Sequence, residues 1–158
     1  MEKFEITVIG GGPGGYVAAI HAAQLGKKVA LIEAREVGGT CLNRGCIPTK
    51  AYLHSAEVYK AVKEAEAFGI HTENTTFDFK AIHERKNKVV STLTGGVGNL
   101  LKANGVKVYN GLATFRDRYI VDISMKDGSK EAIESDKYII APYPRHQKRA
   151  RRYFRRSS

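Results

Sequence analysis

The first 33 residues contain a strand, a glycine-rich loop, a helix and a second strand, in that order. Residues 4–9 (FEITVI) are rich in β-forming residues and end at glycine. Residues 13–25 are alanine-rich with apolar residues at helical spacing, and Pro13 and Gly26 mark the two helix ends. Residues 28–32 (KVALI) are mostly apolar, as expected of a parallel strand buried on both faces. This order predicts a βαβ unit with a right-handed crossover.

The loop between the first strand and the helix has the pattern Gly-x-Gly-x-x-Gly, with Gly10, Gly12 and Gly15 at the pattern positions. We expect Gly10 to permit the tight turn, Gly12 to let a pyrophosphate approach the backbone, and Gly15 to let the helix pack close to the strand. The unpaired N–H groups of the first helical turn would then hold the phosphates. Glycine loops also occur as plain turns, but here a strand precedes the loop and a helix follows it.

Glu33 follows the second strand, 18 residues after Gly15. A carboxylate at this position accepts hydrogen bonds from ribose hydroxyls and repels a 2′-phosphate. An isolated glutamate is more often a solvated surface residue, but the glycine loop favours ribose binding. Together the loop and Glu33 predict an adenine dinucleotide site, and they do not separate FAD from NAD.

Further helices and strands are predicted downstream of this unit. Residues 47–67 read as a long helix ending near Gly69, and a second helix runs from about Asp78 toward Asn104, weakened by three glycines in its middle. Short strands are expected at 106–109, 112–115, 119–124 and 138–141, with turns at 110–111 and 127–128. The sequence thus predicts an α/β fold with a parallel sheet, helices and a small antiparallel β-meander.

The chain has two cysteines, Cys41 and Cys46, within the segment 38–50 (GGTCLNRGCIPTK). Two thiols without a close histidine pair cannot complete a zinc site, and no metal site is predicted. Residues five apart in a regular helix have Cα atoms about 8.6 Å apart, whereas a disulfide needs less than about 7 Å. If the pair bridges, the segment therefore cannot be a regular helix, and Asn43 and Gly45 permit an irregular turn. Two buried free thiols remain the alternative.

These motifs together resemble those of the pyridine nucleotide–disulfide oxidoreductases. The resemblance rests on the glycine loop, on Glu33 and on the segment 38–50, and it covers residues 1–141. The cysteine segment looks most like that of the dihydrolipoyl dehydrogenase branch, with glutathione and mercuric reductases as the alternatives. The resemblance implies that residues 1–141 are the N-terminal part of a Rossmann-like FAD-binding domain, which is incomplete in this chain.

The resemblance also implies roles for individual residues. Cys41 would be the catalytic thiol that exchanges with the lipoyl group, and Cys46 the catalytic thiol next to the flavin that forms the charge-transfer thiolate. Lys50 would lie near the flavin ring and stabilise its reduced form. The other residues expected to bind FAD are Gly10, Gly12, Gly15, Glu33, Gly39, Thr40 and Ala113.

In such enzymes electrons pass from dihydrolipoamide to the cysteine pair, then to FAD and on to NAD. The implied partner is the lipoyl-bearing subunit of a 2-oxo acid dehydrogenase complex, and the full-length family forms homodimers. A fragment that binds FAD or another dinucleotide without electron transfer is a second hypothesis.

The net charge of +10 comes mainly from the C-terminal segment. Residues 142–158 hold seven of the 26 basic residues and none of the 16 acidic ones, which leaves 19 against 16 in the rest. We predict that this tail is disordered or the product of a frameshift. A basic arm that binds nucleic acid is the less favoured alternative.

The chain departs from the family pattern after residues 138–141, where a Gly-Ser and a nicotinamide-binding domain are expected. No histidine matches the catalytic base of the family, so we expect a truncated chain that cannot turn over alone. The apolar N-terminal stretch is too short for a signal peptide, and no run of about 18 apolar residues is present. We therefore expect a cytoplasmic protein that does not bind membranes.

Overall fold

Five strands and five helical segments are present in the computed structural model, which describes residues 1–142. The strands are β1 (Glu2–Ile9), β2 (Val29–Glu33), β3 (Lys107–Phe115), β4 (Ile120–Met125) and β5 (Lys130–Ile140). The helices are α1 (Pro13–Gln24), α2 (Gly39–Arg44), α3 (Cys46–Lys63) and α4 (Phe79–Ala103), with a 3₁₀ turn at Ala65–Phe68. Most of the predicted basic tail lies outside the described residues.

The strands form two sheets that share β3 and β5. The parallel sheet has the order β3–β2–β1–β5. The antiparallel meander is β3–β4–β5, in which the second part of β3 and the first part of β5 pair with β4. Strand pairing therefore leads from β3 through β2, β1, β5 and β4 back to β3. The parallel sheet and the meander are nevertheless separate layers of an α/β domain. This arrangement confirms the predicted fold class.

The parallel sheet is buried on both faces, which explains the apolar run of β2. Val29 and Leu31 face a core formed with helices α1, α2 and α4, whereas Ala30 and Ile32 face a core formed with the meander. All four residues are at most 1% exposed. Alternate side chains of one strand thus hold the helices on one face and the meander on the other.

The predicted turn at Asn110-Gly111 is wrong, because β3 runs unbroken through both residues. Close packing of the two strands requires glycine at position 111, since a Cβ there would lie 2.6 Å from the carbonyl oxygen of Ser124 on β4. β5 is also longer than predicted and begins at Lys130. The expected turn at 127–128 is present, and Gly128 adopts a φ of 87° there.

Helix α4 continues unbroken through Gly95, Gly96 and Gly98, the three glycines that weakened its prediction from the sequence. Asp78 caps its N-terminus by accepting hydrogen bonds from the backbone N–H groups of Lys80 (2.8 Å) and Ala81 (3.2 Å). A Cβ at any of the three glycines would meet no atom within 4 Å. None of the helices in residues 1–142 is long and apolar enough to cross a membrane.

Replacing Gly96 with alanine is expected to stabilise the chain by about 1 kcal/mol, because alanine favours the helix and the site has room for a methyl group. Urea unfolding followed by circular dichroism measures the change. Gly105→Ala is the matched control and should lower stability, since Gly105 has a φ of 70°. A loss of stability in Gly96→Ala would contradict the packing described for α4.

Candidate functional site

The glycine loop joins the end of β1 to the start of α1. Gly10 has a φ of 104°, and its backbone N–H donates to the carbonyl oxygen of Ile32 at 2.8 Å. A Cβ at Gly10 would lie 2.5 Å from the carbonyl oxygen of Ala141 at the end of β5. The tight turn between three strand ends therefore requires glycine at this position.

The first turn of α1 forms an open cradle of backbone N–H groups. Gly12 is the N-cap residue of the helix and has no side chain that could bond the first N–H groups, and the first turn holds no acidic residue. The first hydrogen bond of the helix runs from Tyr16 N–H to Gly12 at 2.9 Å, so the N–H groups of Gly14 and Gly15 have no partner within the helix. A Cβ at Gly12 would meet no atom within 4 Å. This space and these donors fit a phosphate group.

Gly15 allows α1 to lie directly against the turn. A Cβ on Gly15 would be 1.7 Å from the carbonyl oxygen of Gly10, which is shorter than any non-bonded contact. The tight turn predicted at Gly10 and the close helix packing predicted at Gly15 are therefore both present. The open space at Gly12 is the feature expected where a pyrophosphate approaches the backbone.

The Glu33 carboxylate lies beside the glycine loop at the end of β2. It accepts hydrogen bonds from the N–H of Gly11 at 2.6 Å and from the N–H of Arg35 at 2.7 Å. Glu33 is half-buried, and each carboxylate oxygen has a second lone pair. The two backbone bonds orient the carboxylate, and the remaining lone pairs can accept hydroxyl groups of a ligand.

Gly38 and Gly39 hold the cysteine segment against the glycine loop. The N–H of Gly38 donates to the carbonyl oxygen of Gly11 at 2.8 Å. A Cβ on Gly39 would lie 2.7 Å from the Cα of Gly12, and both Gly38 and Gly39 have positive φ. Gly39 was predicted as a site residue from the sequence, whereas Gly11 and Gly38 were not, although the Gly38-Gly39 doublet was a usable signal.

The two cysteines lie on either side of a break between two helices. Cys41 is in the six-residue helix α2, and Cys46 begins α3. Gly45 separates them with φ of −124° and ψ of −106°, and a Cβ at Gly45 would be 3.1 Å from the carbonyl oxygen of Thr40. The segment thus has the irregular turn that a bridging pair needs. Both thiols are free, with Cys41 half-buried and Cys46 exposed.

The acidity of the Cys41 thiol depends on its neighbour Cys46. Interaction with the Cys46 side chain raises the pKa of the Cys41 thiol above its ordinary value, and partial burial raises it further. The positive charge of Lys50 acts in the opposite direction and lowers the pKa of Cys41. Lys50 lies one helical turn after Cys46 on α3 and is exposed.

Replacing Lys50 with glutamine is expected to raise the pKa of Cys41 further, because a nearby positive charge that favours the thiolate is lost. Alkylation of Cys41 by iodoacetamide at pH 8 should become slower, with the pH–rate profile shifted toward higher pH. Mass spectrometry of the Cys41 peptide measures this rate. Lys60→Gln, on the same helix, should leave the profile unchanged, and equal profiles for both variants would contradict the role of Lys50.

Thr40 and Ala113 complete the set of predicted site residues. Thr40 is exposed on α2, between Gly39 and Cys41. Ala113 lies in the meander part of β3, opposite Ile123 on β4, and it is half-buried against the meander core. The structure thus gathers the glycine loop, Glu33 and the start of the cysteine segment at the ends of β1 and β2, and it places Ala113 in the other layer.

Several curated proteins similar to this chain are named dihydrolipoyl dehydrogenase. The chain is 55% identical over 116 residues to the protein of Acholeplasma laidlawii, which covers 73% of this chain and 34% of that protein. It is 44% identical over 140 residues to the protein of Zymomonas mobilis, covering 89% and 30%. The match to the protein of Bacillus subtilis is 49% identical and covers 69% of this chain and 23% of the relative. The chain thus spans about a third or less of the relatives it matches.

A solved structure and a family model agree with these relatives. The Cu(II) complex of the HOCl-induced flavoprotein disulfide reductase RclA from Escherichia coli superposes with a TM-score of 0.74 and 30% sequence identity. That match covers 90% of this chain and 29% of the RclA chain. The model of the family described as pyridine nucleotide-disulphide oxidoreductase matches residues 4–142. The chain therefore belongs to the pyridine nucleotide-disulphide oxidoreductase family.

Proposed function

We propose that this chain is the N-terminal part of an FAD-dependent dihydrolipoyl dehydrogenase, in which the Cys41–Cys46 pair passes electrons from dihydrolipoamide to FAD. The observation that carries this proposal is the contact between Gly39 and Gly12. It brings the start of the dithiol segment against the phosphate cradle, so one bound molecule can contact both. The names of the curated relatives support the choice of dihydrolipoamide as the substrate.

The glycine loop and Glu33 would hold the adenosine diphosphate part of FAD. The N–H groups at the start of α1 supply hydrogen bonds and a favourable dipole for the pyrophosphate. Glu33, oriented by the N–H groups of Gly11 and Arg35, would accept the ribose hydroxyls. Its negative charge disfavours a phosphorylated ribose. Thr40 and the backbone of Ala113 are proposed as further contacts of the cofactor.

The dithiol chemistry proceeds by two exchanges starting from the Cys41–Cys46 disulfide. A thiolate of dihydrolipoamide attacks Cys41, the Cys41–Cys46 bond breaks, and Cys46 leaves as a thiolate. The second lipoyl thiol loses its proton and attacks the lipoyl sulfur of the mixed disulfide, which closes the lipoyl disulfide and releases Cys41. Cys41 then takes up a proton, which its raised pKa favours at neutral pH.

Two electrons remain on the cysteine pair after these exchanges. Bound FAD supplies the acceptor for them, and NAD is the proposed final acceptor. Lys50 contributes a positive charge next to the pair, which favours the thiolate over the thiol. We further propose that the protein acts in the cytoplasm as a homodimer, on the lipoyl-bearing subunit of a 2-oxo acid dehydrogenase complex.

Comparing FAD with FMN tests the cofactor site, because FMN lacks the adenosine diphosphate part that the cradle would bind. The chain is incubated with each flavin and desalted, and the flavin that remains bound is quantified from its visible absorbance. We expect FAD to remain bound and FMN to be removed. Loss of both flavins, or equal retention of both, would contradict an adenosine diphosphate site in this chain.

A further inference from the structure

Helix α2 carries Cys41 but is too short to be stable alone. It has six residues, Gly39–Arg44, and no side chain caps its N-terminus. Isolated helices of this length do not persist in water, because nucleation costs more than a few hydrogen bonds return. Contacts from outside the helical backbone must therefore hold α2, and with it Cys41, in place.

The side chain of Asn43 supplies such contacts from a position between the two cysteines. Its Nδ2 group donates to the carbonyl oxygen of Val37 at 3.1 Å and to that of Gly39 at 2.9 Å. Both bonds are partly buried. A carboxamide has two N–H donors on one nitrogen, so it can serve two carbonyl groups at once, which no carboxylate or hydroxyl of similar size can do.

The two acceptors belong to the loop that touches the glycine loop. Val37 and Gly39 flank Gly38, whose N–H bonds the carbonyl oxygen of Gly11. Asn43 therefore ties the end of α2 back to the backbone that is itself fixed at the phosphate cradle. Beyond Asn43 the chain turns at Gly45, where an added Cβ would lie 3.5 Å from the Cα of Cys41, and Cys46 is the next residue.

We propose that Asn43 is a positioning residue that sets the separation of Cys41 and Cys46 and so favours their disulfide. This inference rests on the proposed redox role of the pair. A clamp that keeps the two sulfur atoms close raises the effective concentration of one thiol toward the other. Loosening α2 lowers that concentration and makes intrachain disulfide formation less favourable.

The neighbouring residue Arg44 offers a matched control on the same helix. Its guanidinium pairs with the Glu36 carboxylate at 2.8 Å, and both side chains are about half exposed. Exposed ion pairs of this kind contribute little to structure. Arg44→Gln should therefore leave the spacing of the cysteines unchanged, whereas Asn43→Asp removes both donors with almost no change in shape.

The test is the equilibrium of the full chain with glutathione redox buffers. Two Cys thiols and one oxidised glutathione give the intrachain disulfide and two reduced glutathione molecules, and alkylation followed by mass spectrometry measures the oxidised fraction. We expect the disulfide equilibrium constant of Asn43→Asp to fall by about tenfold, the size expected for two lost hydrogen bonds. Arg44→Gln should match the unchanged chain.

Asn43→Gln keeps the amide on a longer side chain and should recover part of the lost equilibrium constant. Such a recovery would attribute the loss in Asn43→Asp to the missing amide donors rather than to a general loss of folding. Equal constants for Asn43→Asp, Asn43→Gln and the unchanged chain would overturn the positioning role while leaving the proposed redox pair intact. If the unchanged chain formed no Cys41–Cys46 disulfide in any buffer, both the inference and the proposed function would be wrong.

Discussion

Replacing Gly15 with alanine is expected to prevent stable folding, with a loss of about 3 kcal/mol or more in the free energy of unfolding. The added Cβ would lie 1.7 Å from the carbonyl oxygen of Gly10 and 2.9 Å from its carbonyl carbon. Both atoms belong to the backbone and cannot rotate away, so α1 would have to move off the end of β1. Urea unfolding followed by circular dichroism measures the loss.

Gly14→Ala is the matched control for this prediction. Gly14 is in the same helical turn, and a Cβ there would meet no protein atom within 4 Å. We expect its stability to equal or exceed that of the unchanged chain, since alanine is the better helix former. Equal unfolding midpoints for Gly15→Ala and the unchanged chain would show that α1 does not pack against the loop as described.

Replacing Gly12 with alanine is expected to preserve the fold and to weaken FAD binding on the order of 100-fold. Gly12 has a φ of −70°, which alanine adopts without strain, and its added Cβ would meet no protein atom within 4 Å. In the proposed complex that space belongs to the pyrophosphate, so the methyl group would push the phosphates away from the N–H groups of α1. Titration of the chain with FAD, followed by flavin fluorescence, measures the dissociation constant.

The unfolding curve of Gly12→Ala provides the internal control. An unchanged curve together with weakened FAD binding would separate the effect on the cofactor from the effect on folding that is expected for Gly15→Ala. Undiminished FAD affinity in a folded Gly12→Ala chain would exclude this loop as the phosphate site.

Local sequence signals were sufficient for the βαβ unit and for the presence of a meander, but insufficient for the bounds of the meander strands. The glycine loop, α1 and β2 could be predicted because helical spacing, an apolar run and chain-breaking residues agree within a short stretch. Asn110-Gly111 has the sequence of a tight turn, but β3 passes through it. The close approach of Ser124 on β4 determines that outcome, and no local pattern reveals such a cross-strand contact.

The start of β5 was missed for a similar reason. Residues 130–137 are mainly polar, with Ile133 and Ser135 as the buried positions. They form a strand because β1 and β4 pair with them on opposite edges. Pairing with distant partners thus overrides weak local propensity.

The candidate site was predictable in its residue types but not in its contacts. A disulfide between Cys41 and Cys46 is incompatible with a regular helix at their spacing, and the structure has a break at Gly45. The donation from Asn43 to two carbonyl groups depends on how α2 folds back on its own loop. The packing of Gly39 on Gly12 joins segments that are 27 positions apart, and only the folded chain shows it.

The most direct test of the proposed redox site is the visible spectrum of the chain with FAD, recorded without oxygen before and after addition of dihydrolipoamide. Cys46→Ser, which keeps a hydroxyl of similar size at this position, serves as the control. We predict retained flavin and a new long-wavelength absorption band in the unchanged chain, and no such band in Cys46→Ser. Retained flavin with identical spectra for the two chains would contradict a Cys46 thiol lying against the cofactor.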